Sequence, residues 1–191
     1  MCRFLLAAAV AAVAFSAATF AAPVIAPAHA QSAQQQHYGP DLAAQHAAMD
    51  RLAGMAGDWT GVADVIMPTQ RHVFQTEHIE RDMDGLLLVI HGNGYASADH
   101  SGAPIFKAFG VISYDDRRQI YEFRVYNDGN AATAEARFLD DGRLQWTMAF
   151  GPVRFRYTIT LTAAHWNEIG EMSRDGGQTW TRTIEMNLDK S

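Results

Sequence analysis

The chain has 191 residues and a formal net charge of −6, with 21 Asp+Glu against 15 Lys+Arg and no block of basic residues. That balance makes nucleic acid and anionic membrane poor partners. A single cysteine, Cys2, excludes an intramolecular disulfide, so stability must come from a packed core.

Met1–Ala30 reads as a signal peptide. Arg3 is its one charge, an apolar run follows from Phe4 to Ala22, and Ala28-His29-Ala30 is an A-x-A cleavage site. Cleavage before Gln31 removes Cys2, leaves no stable membrane anchor and directs the chain to the periplasm or outside the cell. The polar, Gln-rich stretch 31–40 reads as a flexible leader. Residues 41–191 are then one domain by size.

Pro40-Asp41 marks a helix start, with Asp41 as the cap. Leu42, Met49, Leu52, Ala53 and Ala56 share one helical face, and Gly54 and Gly57 bracket the exit. The helix is short and weakly apolar and is expected to lean on something larger, such as a barrel mouth.

From Trp59 onward the hydrophobic period is near two, giving about ten strand-like runs separated by turn signals. They start near Trp59, His72, Leu86, Ile105, Gln119, Ala131, Arg143, Val153, Trp166 and Thr179. No helical pattern interrupts them, so an antiparallel up-and-down β-barrel is expected, closed to remove its edges. If Asp140-Asp141-Gly142 is a three-residue loop with Gly142 left-handed, Phe138 faces Leu144, Ala136 faces Trp146, Ala134 faces Met148 and Ala132 faces Phe150. Small residues then oppose large ones on one side, while Glu135, Arg137, Gln145 and Thr147 share the other. Val153, Phe155, Tyr157, Ile159 and Leu161 form another inward row, as do Tyr121, Phe123 and Val125. Rows this bulky predict a narrow or partly filled interior.

Several motifs carry a resemblance. Gly57-Asp58-Trp59 at the entrance to the first strand is similar to the opening of lipocalin-like (calycin) barrels. Together with the Tyr114-Asp115 turn and the tail Glu171-Met172-Ser173…Trp180…Arg182, it resembles small secreted bacterial proteins that carry a lipocalin-like domain of unknown function. The likeness runs roughly from Leu52 to Leu188. It implies a barrel plugged at one end by Trp59, a small apolar ligand and a location outside the cytoplasm; it carries over no catalytic residue. In such barrels an Arg on a late strand stacks over the first-strand Trp. Arg182, in the row Trp180, Ile184, Met186, Leu188, is therefore expected on Trp59, or else as an anchor for a ligand carboxylate. Ser173-Arg174-Asp175-Gly176-Gly177-Gln178-Thr179-Trp180 matches the Asp-box turn. One copy is too few for a propeller, so its role is structural.

The expected function is to bind or carry a small, mainly hydrophobic molecule, with Phe123, Trp146, Met148, Phe155, Tyr157 and Arg182 as ligand-binding residues. Two alternatives stand: a non-catalytic structural or envelope-interaction barrel with a filled core, and a metal- or haem-binding barrel or small-molecule enzyme. A two-residue Asp84-Gly85 turn would put His78 opposite His91, with Glu80 on the same face, as a possible metal set. A three-residue turn dissolves it. Glu168 and Glu171 fall on opposite faces and read as solvated carboxylates. No catalytic motif, cofactor signature or definite metal set is found, and no protein partner can be named.

Overall fold

The computed structural model describes residues 39–191. The predicted signal peptide, and the leader as far as residue 38, lie outside the described residues. Asp41 caps helix α1 (Leu42–Asp50) as expected, its carboxylate accepting from the Ala44 N–H at 3.0 Å. Met49 and Leu52 are buried, but Leu42 at the start of the face is exposed. A 3-10 turn (Ala53–Met55) leads into the first strand.

Ten strands follow: β1 (Gly57–Val65), β2 (Arg71–Asp82), β3 (Leu87–Tyr95), β4 (Phe106–Asp115), β5 (Ile120–Asn127), β6 (Asn130–Phe138), β7 (Leu144–Phe150), β8 (Val153–Leu161), β9 (His165–Ser173) and β10 (Thr181–Lys190). Each pairs antiparallel with its chain neighbours, and β1 pairs with β10, closing the barrel. Observed starts lie within two residues of the expected ones. Among the described residues no helix is long and apolar enough to cross a membrane.

The β6–β7 hairpin has the expected register. Leu139 N–H donates to Arg143 C=O at 2.8 Å, Gly142 has φ +84°, and Ala136 and Phe138 face Trp146 and Leu144. The ladder ends at Glu135/Thr147, however, so Ala134 and Ala132 do not pair with Met148 and Phe150. Beyond that point β6 stays with β5, where Ala134 faces Phe123 and Ala132 faces Val125, and β7 stays with β8. The Ala row still serves its purpose. Ala134 and Ala136 are buried, and their small size lets Phe123 and Trp146 meet across β6, edge to face at 5.3 Å.

Helix α1 and the 3-10 turn close one end. Tyr121 Oη donates to Ala48 C=O at 2.8 Å, Arg51 lies over the Phe138 ring at 3.9 Å, and Asp116 accepts from Gln45 Nε2 at 2.7 Å. Trp59 is the plug: it is 1% exposed, its Nε1 donates to Met55 C=O at 2.8 Å, and it meets Trp166 edge to face at 5.8 Å. The other end, where Phe106, Tyr126 and Phe150 are exposed, is the mouth.

Arg182 does not reach the plug. A bulge lies between Arg182, which faces Glu171, and Ile184, which faces Gly170. The extra residue, Thr183, reverses the alternation, so Ile184, Met186 and Leu188 point inward while Arg182 points out and pairs with Glu185 at 2.8 Å. The cation over Trp59 is Lys190, at 4.9 Å. An exposed pair of this kind contributes at most about 1 kcal/mol. Arg182→Ala is therefore expected to leave the urea midpoint almost unchanged. A loss comparable to that of a core truncation would contradict the outward placement.

The Asp box is a turn clamp, as read. Asp175 accepts from Gln178 N–H and Thr179 N–H, both at 2.9 Å, and from Thr179 Oγ1 and Ser173 Oγ. These donors hold its carboxyl far below the usual carboxylate range. Trp180 is sandwiched between the turn, through Nε1 to Gly177 C=O at 3.0 Å, and the Arg156 guanidinium at 4.1 Å.

Candidate functional site

The inward rows do not fill the barrel. A cavity of about 370 Å³ runs between the plug and the mouth, lined largely by apolar side chains. Of the residues predicted to bind ligand, Phe123, Trp146, Met148 and Tyr157 line it. Phe155 lies one inward position nearer the mouth than Tyr157 and packs edge-on against Phe150 at 6.0 Å. Arg182 is on the outside.

The polar content of the cavity differs from the sequence expectation. Where one arginine was expected, the inner wall carries Glu77 and Gln75 from β2, Glu168 from β9 and Tyr157 from β8, and Tyr126 and Asn127 line the mouth end. Both carboxyls are buried. Glu168 and Glu171 do take opposite faces. Glu171 is outside, paired with Arg156 at 2.6 Å, whereas Glu168 is an interior group and not a solvated one. Its parity was available from Trp166, two residues earlier and necessarily inward. Likewise Val73 and Ile79 place Gln75 and Glu77 on the inner face of β2.

Each carboxyl is held by a neutral donor. Gln75 Nε2 donates to Glu77 Oε1 at 2.7 Å, and Trp146 Nε1 donates to Glu168 Oε1 at 3.1 Å. Two glycines make room. A Cβ at Gly92 would fall 2.8 Å from both Glu77 carboxylate oxygens, and one at Gly170 would meet the Tyr157 ring at 2.6 Å. Tyr157 thereby lies flat and stacks on Trp146 at 3.8 Å between centroids.

Burial without a cation sets the electrostatics. Among the residues lining the cavity there is no Lys, Arg or His. Loss of hydration raises Glu77 from 4.5 to about 7, opposed by the Gln75 hydrogen bond. It also raises Glu168 to about 7, reinforced by the negative charge of Glu77 and opposed by the two indoles, Trp146 and Trp166. Tyr157 is pushed up to about 12 by burial and by Glu168. The Trp166 indole is 4% exposed, and its Nε1 faces the Glu168 carboxyl without a partner at hydrogen-bond distance among the described residues. Burial thus moves both carboxyls towards the neutral range, and their polar atoms face a largely apolar space.

On the outer wall His78 does sit opposite His91, with ring centroids 6.4 Å apart. The connection is longer than a two-residue turn: a 3-10 turn (Met83–Gly85) followed by Leu86, which preserves that register. His78 Nδ1 is engaged by Asp58 at 2.6 Å, which raises its pKa. Among the described residues no group of three His, Cys, Asp or Glu is placed to hold a metal ion. His78, Glu80 and His91 are exposed on this outer wall.

Fold and interior define a lipocalin-like β-barrel with an apolar cavity that opens at the mouth and carries acidic groups on its wall. Among solved structures, the chain is similar to the S-type phycobiliprotein lyase CPES from Guillardia theta, with a TM-score of 0.53 and 11% sequence identity, over 75% of this chain and 92% of that one. At that identity the likeness is one of fold. No family model and no curated protein matches the sequence.

Proposed function

We propose that this protein is a periplasmic or secreted carrier that binds one small, mainly hydrophobic molecule inside the barrel. The observation that carries this reading is the 370 Å³ cavity, apolar over most of its wall and polar at a few convergent atoms. Small-molecule sites have this size and composition. Phe123, Trp146, Met148 and Tyr157 supply aromatic and thioether walls, and Glu77, Glu168 and Trp166 supply orientation. The space also argues against a filled core, and so against a purely structural barrel.

The test is native mass spectrometry of the full-length gene product recovered from a periplasmic fraction. The expected species begins at Gln31 and carries a reproducible extra mass that is lost on denaturation. Ala136→Leu, which adds bulk to the cavity wall beside Trp146, is expected to lose the extra mass while retaining the β-sheet circular dichroism signal. An extra mass unaffected by that substitution would place the cargo elsewhere. A product retaining Met1 in the cytosol would refute the location.

One observation favours a second reading. Two buried carboxyls raised to about 7 on one cavity wall are suited to general acid and base work. A catalyst would return chemically altered cargo, whereas a carrier returns it unchanged, so the mass of the released molecule over time separates the two.

A further inference from the structure

We propose that the ligand carries one positive charge, as a protonated amine set between Glu77 and Glu168, with a hydrogen-bond acceptor close by for the indole of Trp166. This rests on the carrier reading and specifies the chemistry of the same cavity.

Three observations support it. First, the wall has acidic groups on two strands, β2 and β9, and no basic group to neutralise them. An anionic ligand would bring its charge beside these carboxyls in a low-dielectric space, where like charges repel most strongly. Second, the neighbouring donors fix how the carboxyls point. Gln75 and Trp146 each donate to one oxygen, which leaves the other oxygen of each carboxylate to accept from a ligand. A ligand that meets two acceptors must bring donors, and a buried charge needs an opposite charge beside it. An ammonium group supplies three N–H donors and the charge together. Third, Trp166 Nε1 is a buried donor that faces the Glu168 carboxyl but has no partner at hydrogen-bond distance among the described residues. Such groups are rare in folded proteins. An ether, carbonyl or hydroxyl oxygen near the amine would satisfy it. The stacked Trp146 and Tyr157 rings provide an aromatic wall that favours an apolar or aromatic ligand body, and Trp faces attract cations.

The probes are a matched set: 2-(2-naphthyloxy)ethylamine, its neutral twin 2-(2-naphthyloxy)ethanol and its anionic twin 2-naphthyloxyacetate. Each is titrated calorimetrically into the full mature protein at pH 7.5. The amine is expected to bind at least tenfold more tightly than the alcohol, and the acid not at all. In Glu168→Gln and in Glu77→Gln the ratio of amine to alcohol affinity should shrink towards unity. Equal binding of amine and alcohol would overturn the charge assignment and leave the carrier reading standing. An amine preference that survives both substitutions would assign it to the acidic exterior and would also overturn the proposal. Failure of all three probes would count against the carrier reading itself. The comparison on the unsubstituted protein does not depend on either variant folding.

Discussion

Without ligand, the protein is expected to be more stable at pH 5 than at pH 8. Glu77 and Glu168 are each raised from 4.5 to about 7 by burial in the cavity wall. The folded chain therefore holds these protons more tightly than the unfolded chain does. Stability falls wherever the native state binds more protons. This contribution is fully present below 4.5 and is lost as pH rises through 7. At 1.36 kcal/mol per pH unit the change is roughly 3 kcal/mol for one carboxyl, or roughly 10 °C in Tm for a domain of this size. The groups facing the pair inside the barrel are each other and Tyr157, which stays neutral throughout the range because it is pushed up to about 12. His78 on the outer wall is raised by Asp58 and slopes the same way. The double variant Glu77→Gln, Glu168→Gln separates the two effects, because the interior contribution should vanish and leave only that of the surface histidine. Thermal melts of both proteins from pH 5 to pH 8 decide it. A wild-type slope as shallow as that of the double variant would mean that the carboxyls are hydrated.

Trp59→Ala is expected to be the most damaging single substitution at the closed end. The indole is 1% exposed, donates to Met55 C=O, meets Trp166 edge to face and lies beneath Lys190. Truncating a buried aromatic of this kind costs about 3–5 kcal/mol, a large part of the 5–15 kcal/mol typical of a domain. Trp59→Phe keeps most of the buried area but removes the indole donor, so it should cost about 1 kcal/mol for the lost hydrogen bond, plus what the smaller ring leaves unfilled. Urea midpoints of the three proteins test the order. If Trp59→Ala lost less than Trp59→Phe, the plug would not be what seals this end.

The barrel was legible from its punctuation. Period two from Trp59, repeated Asp/Gly turns and no helical interruption are sufficient for ten antiparallel strands, and Gly142 in the left-handed conformation set one register outright. What could not be read was any event that breaks strict alternation. Thr183 is one extra residue in a strand, carries no compositional mark, and moved Arg182 from core to surface. The early end of the β6–β7 ladder is similar, since each strand also has a partner on its other side and pattern alone does not show which pairing wins. The carboxyls were missed for another reason. In an acidic chain a strand glutamate reads as surface, and the inward parity of Trp166 and Ile79 outweighs that prior only once the barrel is known to hold space. Trp146 and Tyr157 were recoverable because apolar rows announce themselves, whereas buried charges look like exposed ones until the wall is folded around them.

The short β6–β7 ladder also bears on how the cylinder deforms. The other seams are registered over most of their length, but this one is fastened only from Phe138/Leu144 to Glu135/Thr147. Towards the rim, Asn130–Ala134 and Met148–Phe150 run without a shared ladder, so the circumference there is not fixed by main-chain bonds on that side. This seam is the shortest ladder around the girth, on the same side as Met148 and Trp146. Amide protons flanking its unpaired stretch should exchange with solvent long before those of β9 and β10. Main-chain pairing therefore resists widening of the opening least along this line.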